Sequence, residues 1–340
     1  MQRRIRVIGM AAVALVAVVA LGPVPAAAQA SGDGWTVSRT ADGQPDLSGV
    51  WANNSVTPLE RPEAWADKTT LTEEDLAELK AAAAAVTASG LDAQFGDQLV
   101  QAALAGISDA DSYDTTGNYN QFWLADRNFE HNRTSLIIEP TDGKIPARTS
   151  AAERAGRGVP PPIIAPMADS WADRPLSERC LTFGVPNLLA GYNSFYQIVQ
   201  NRDHVVILME MIHDARIIPI DGPPHVDDEI RQLHGDSRGH WEGDTLVVET
   251  TNYSDLGVFW SAGEEFRLTE RFTRVGPDTL HYEITFDDQM TWTSPWTVQI
   301  PLKQSAEPLF EYACHEGNIG MEGILSGYRA QERMDTEGSR

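Results

Sequence analysis

Positive charge is scarce in this chain. Lysine and arginine number 26 against 49 aspartates and glutamates, and the net charge is −23. So acidic a surface repels phosphate backbones, and no basic, aromatic-interleaved stripe interrupts it, which argues against nucleic acid as a partner. Long apolar runs are missing after the first thirty residues, so no later segment is expected to insert stably in a membrane. The P-loop, the dinucleotide glycine fingerprint and the G-x-S-x-G elbow are absent as well. A nicotinamide enzyme and a serine hydrolase of the usual pattern are therefore disfavoured. Neither H-E-x-x-H nor any comparable spacing gathers His213, Asp214, His225 and His315, so no metal or other cofactor is expected.

The one apolar run lies at the start. Arg3, Arg4 and Arg6 precede VIGMAAVALVAVVALG, and PAAAQA supplies small residues for cleavage near Ala28 or Ala30. This order is that of a secretory signal peptide, so a periplasmic or secreted protein is expected. Its two cysteines, Cys180 and Cys314, are 134 residues apart and match no short metal pattern. In an oxidising compartment such a pair most readily forms a disulfide. A bridge over so long a loop removes denatured-state entropy of about 4–5 kcal/mol. A free catalytic thiolate is the other reading.

Residues 31–330 read as a single, mainly β domain, with 331–340 as a tail. A strand begins near Leu47. TTLTEEDLAELKAAAAAVTASG predicts a helix near 70–88, with Thr72 and Asp75 at its start and Gly90 at its stop. Residues 91–130 read as a long loop carrying the aromatic cluster NYNQFW. RTSLIIEPTDGKIP is a strand, a turn at Thr141–Gly143 and a short return, and AGRGVPPPIIAPM a proline-rich connection. From Asn193 to about residue 313 the pattern becomes an antiparallel meander. SFYQIVQ and HVVILMEM flank NRD, with ARIIPIDG next. SRGHW and TLVVETTNY flank EGD, FRLTERFTRV and TLHYEITFDD flank GPD, and TWTSPWTVQIPL and LFEYAC finish the series. About ten short β-branched and aromatic runs separated by Gly, Pro and Asp turns argue for a barrel or a strongly curved sheet.

DLSGVW, RTSLIIEPTDGKIP, HDARIIPIDG, GDSRGHWEGDTLVVETTN, LTERFTRV and EYACHEGN resemble shared segments of a largely uncharacterised family of secreted bacterial proteins. The likeness runs from about Asp42 to Arg329 and implies export without naming a reaction. SGVW before a meander is also similar to the G-x-W opening of lipocalin-like barrels, and that likeness implies a ligand-carrying β-barrel.

Polar clusters point to chemistry. Glu210 stands out in a strand apolar on both faces. IHDARII places His213, Asp214 and Arg216 at a corner, where Asp214 can orient the imidazole and Arg216 hold an anion or oxyanion. The same corner reads equally as an Asp–Arg staple. EYACHEGN sets His315, Glu316 and Asn318 beside Cys314 as base or acid, orienter and hydrogen-bond donor, or simply as a strand-ending turn. Asp236, Arg238 and His240 share a strand face, with a salt bridge expected between the first two and Trp241 on the other face. Tyr192, Tyr196, His240 and Trp241 are candidate substrate contacts, although core aromatics remain the plain reading. Two functions stay open. One is an exported enzyme using proton transfer, for hydrolysis or elimination/isomerisation, on a small organic or glycan-derived substrate, with His213 and His315 in one site. The other is a lipocalin-like carrier of an apolar molecule, whose cavity the tryptophans would line.

Overall fold

Ten antiparallel strands build one sheet in the computed structural model, which describes residues 35–338 apart from 90–92, 95–96, 107–123, 125, 130, 161–167 and 258. The signal segment, NYNQFW and most of PPPIIAPM lie outside the described residues. The strands are β1 (Gly49–Ala52), β2 (Ile137–Glu139), β3 (Phe195–Gln200), β4 (His204–Met209), β5 (Ala215–Pro219), β6 (Asp236–Glu242), β7 (Thr245–Thr251), β8 (Arg267–Arg274), β9 (Thr279–Asp287) and β10 (Trp296–Ser305). Their order is β5-β4-β3-β1-β10-β9-β8-β7-β6, with β2 paired to β10. The expected hairpins form at NRD, EGD and GPD. β1 was legible as a strand, but its place between β3 and β10 was not.

The ladder does not close, so the lipocalin-like barrel is not formed. A flat sheet would hold β5 and β6 roughly 40 Å apart, eight steps of about 4.8 Å. Instead they meet at a single parallel bridge, Ile220 to Gly239, where the Asp221 N–H donates to the Gly239 carbonyl at 2.9 Å. The sheet is therefore strongly curved. Gly239 permits the approach: a Cβ there would lie 2.6 Å from Ile220 Cδ1 and 3.0 Å from Ile218 Cγ2.

Strict alternation fills the concave side. On β9, Leu280, Tyr282, Ile284 and Phe286 are buried while the residues between them are half-buried. Trp51, Trp292 and Trp296 are fully buried, and Trp296 stacks on Phe286 at 4.0 Å between ring centroids. These tryptophans fill a core rather than line a cavity.

Helices are few. Thr72 caps α1 (Glu73–Ala88) by accepting from the Asp75 N–H, and Asp75 accepts from the Thr72 N–H at 2.9 Å, a reciprocal box that satisfies two end donors. Leu76, Leu79, Ala83 and Val86 of α1 pack on Leu99 and Val100 of α2 (Gln98–Ala105), a helix inside the stretch expected to be loop. After α3 (Ser150–Ala155) the last element is α4 (Gly320–Gly338), which takes up most of the expected tail. LFEYAC forms no strand. No helix among the described residues is long and apolar enough to cross a membrane.

Cys180 and Cys314 form the expected disulfide, with Cα atoms 5.7 Å apart. It ties the segment after β10 to the loop before β3.

Candidate functional site

The corner between β4 and β5 carries the densest polar arrangement. The Met209 N–H donates to the Asp214 carbonyl at 2.7 Å, closing a turn over residues 210–213. Inside it Ile212 and His213 adopt left-handed backbone, with φ of 54° and 48°. For a β-branched residue this is a true outlier, and such residues cost about 1–3 kcal/mol each unless their surroundings hold them. Cys180 (φ 54°) and Asn193 (φ 41°) share the conformation on neighbouring loops. Asp221, Asn252, Trp260 and Ser261 adopt it elsewhere in the described residues, so left-handed backbone is not confined to this corner.

That backbone separates residues adjacent in sequence. His213 is turned out and exposed, whereas Asp214 is buried. Asp214 Oδ2 accepts from the Thr182 hydroxyl at 2.7 Å and the Phe183 N–H at 3.0 Å, and Oδ1 lies 3.4 Å from His234 Nε2. The same His234 nitrogen is 2.9 Å from Thr182 Oγ1, which also accepts from the Gly184 N–H at 2.8 Å. A hydroxyl has one proton to donate. Thr182 gives its proton to Asp214, so His234 Nε2 must be the donor toward Thr182. The network assigns the Nε2–H tautomer and leaves the lone pair on Nδ1. Burial lowers the His234 pKa, Arg216 lowers it further, and Asp214 opposes both. At neutral pH the imidazole is uncharged, as a base requires. Because Thr182 and Asp214 meet the same nitrogen, this is no nucleophile–histidine–aspartate relay, which needs the two ring nitrogens on different partners.

Arg216 points inward from β5 and is spoken for. Its two terminal nitrogens donate to Glu270 of β8 at 2.6 and 2.8 Å, and the Tyr282 hydroxyl donates to the same carboxylate. Burial disfavours the arginine charge, but Glu270 more than offsets this and raises its pKa. Burial first and Glu270 second push up the phenols of Tyr196, Tyr253 and Tyr282. Both terminal nitrogens of Arg216 are thus engaged by Glu270, while its Nε is buried without a hydrogen-bond partner among the described residues, and Tyr196 is a buried donor to the Asn187 carbonyl at 2.7 Å rather than a substrate contact. Tyr192 is half-buried.

His315, Glu316 and Asn318 are exposed on the turn after Cys314, and Asn318 Nδ2 lies 3.4 Å from Cys180 Sγ. Among the described residues no hydrogen bond or ion pair joins His315 to His213 or Asp214. The disulfide nevertheless brings this turn to the loop that carries Thr182.

On β6 the expected Asp236–Arg238 salt bridge is present at 2.8 Å. Asp236 also accepts from His225 Nδ1 at 3.0 Å and the Val226 N–H at 3.1 Å, pinning the loop before β6. His240 pairs with Glu242 at 3.3 Å on the surface, while Trp241 packs half-buried against the core. Among the described residues no group of three or more His, Cys, Asp or Glu is arranged to hold a metal ion.

Thr182, His234 and Glu270 escaped sequence reasoning. His234 immediately precedes the GDSRGHW segment, and Glu270 is a lone carboxylate at an inward position of LTERF. Those two signals were readable; Thr182 had none beyond its closeness to Cys180. The chain matches no family model, and no curated protein matches it.

Proposed function

We propose that the protein is an extracytoplasmic enzyme that transfers protons on a small organic or glycan-derived substrate, by hydrolysis or elimination/isomerisation, with His234 as the base. The observation that carries this reading is the partly exposed, uncharged His234 whose Nε2–H is held by Thr182 and Asp214, leaving Nδ1 to accept a proton. The backbone strain of the 210–214 corner supports it, since such strain gathers at functional sites. Loops on a rigid sheet are also where catalytic groups concentrate. Export agrees with the N-terminal n-region and apolar run, and with a disulfide. The packed concave face speaks for an enzyme over a carrier, because buried tryptophans occupy the space an apolar ligand would need.

Incubating the purified protein with small-molecule extracts and following which compounds disappear tests the reading. His234→Gln, whose amide can keep the donation to Thr182, should slow that consumption about 10²–10⁴-fold, the usual worth of a general base, with an unchanged melting temperature. A variant as active as the wild type would remove His234 from the chemistry.

A further inference from the structure

Glu210, at the start of the strained corner, is a carboxyl that the Asp214–Thr182–His234 arrangement does not use. Its residue is only 6% exposed. The carboxyl accepts from the Asn193 side chain and the Phe310 backbone N–H. Its Oε2 is buried and has no hydrogen-bond partner among the described residues. A buried carboxylate oxygen left in this way is costly, whereas a protonated carboxyl keeps a donor for an incoming acceptor. The surroundings hold it in place. The Glu210 N–H donates to the Phe195 carbonyl at 2.9 Å and its own carbonyl accepts from the His213 N–H at 3.1 Å. Asn193, which anchors the carboxyl, itself has left-handed backbone.

We propose that Glu210 is a second catalytic residue of this corner, the proton donor that complements the His234 base, and that the substrate is an uncharged, oxygen-bearing molecule. This rests on the acid–base reading of the site. In the step, the Glu210 proton passes to a substrate oxygen as its bond to carbon breaks and the bonding electrons move onto that oxygen. His234 Nδ1 takes the proton released by the attacking water or by the neighbouring carbon, so protons and electrons balance. The neutral substrate class follows from the charges present: the nearby guanidinium of Arg216 is matched by Glu270, and Asp214 adds negative charge. Burial raises the Glu210 pKa, against the hydrogen bonds from Asn193 and Phe310, which lower it. The titratable groups on the surrounding elements are His213 and Asp214 of the same corner and Glu311, His315 and Glu316 of the segment carrying Phe310; none contributes to that shift.

Infrared spectroscopy of protein carrying isotope-labelled glutamate reads this state directly. One labelled carboxylic-acid band should outlast those of the exposed glutamates as the pH is raised, and be missing from Glu210→Gln. The labelled wild-type spectrum stands even if that variant folds poorly, and a spectrum in which no carboxylic-acid band outlasts those of the exposed glutamates overturns the proposal. On a compound the protein consumes, Glu210→Gln should lower kcat about 10²–10⁴-fold and remove the acid-side limb of the pH profile. A variant with wild-type kcat makes the carboxyl structural and also overturns it, and a consumed compound bearing a carboxylate or phosphate overturns the substrate class. If Glu210→Gln is inactive while His234→Gln keeps its rate, the base assignment fails and the donor assignment stands.

Discussion

Glu270→Gln should destabilise the protein by about 3–5 kcal/mol, the usual cost of breaking a buried ion pair by removing one partner. The substitution keeps the side-chain shape but strands the Arg216 guanidinium, whose residue is 7% exposed while Glu270 is completely buried. It also weakens the acceptor that Tyr282 uses. Urea denaturation of wild type and variant measures the loss. Replacing both partners, Arg216→Met with Glu270→Leu, should recover most of it, because well-packed apolar residues often replace a buried pair at no cost. A single variant as stable as the wild type would mean that Arg216 finds other partners or water.

Removing the Cys180–Cys314 bridge with serines at both positions has the other large expected effect. The link closes a loop with a sequence separation of 134 that contains β3 to β10. In the chain-entropy model its loss costs about 4–5 kcal/mol, acting through the unfolded state. A local effect should accompany it. No described side chain between residues 303 and 338 is buried, so this segment depends heavily on the tether. Hydrogen exchange across 308–338 should rise sharply in the double serine variant while β8, β9 and β10 stay protected. Unchanged stability and exchange would show that the remaining contacts, including the Arg329 donation to the Ala168 carbonyl, suffice.

Local patterns in the sequence carried most of the fold. The alternation in FRLTERFTRV and TLHYEITFDD marked β8 and β9, and Thr72 with Asp75 marked the start of α1, because each signal lies within a few residues. The glycines at 320, 323 and 327 dilute the helical pattern of α4, which hid it. Open rather than closed curvature was also illegible, since it depends on how β5 and β6 meet at Gly239. The site suffered most. Adjacency suggested that His213 works with Asp214, but left-handed backbone at Ile212 and His213 turns that histidine outward. Asp214 instead meets Thr182, 32 residues earlier, and His234 after the next strand. Arg216 finds Glu270 at a separation of 54 residues. Such pairings come from strand order, which no local motif encodes.

A nitrogen–proton correlation spectrum of the histidine rings at neutral pH tests the His234 assignment most directly. An uncharged ring protonated at Nε2, with its lone pair on Nδ1 and a pKa below the ordinary value of about 6.5, is the predicted result, and Thr182→Val should weaken the tautomer preference. A His234 protonated at Nδ1, or an imidazolium at neutral pH, would contradict it.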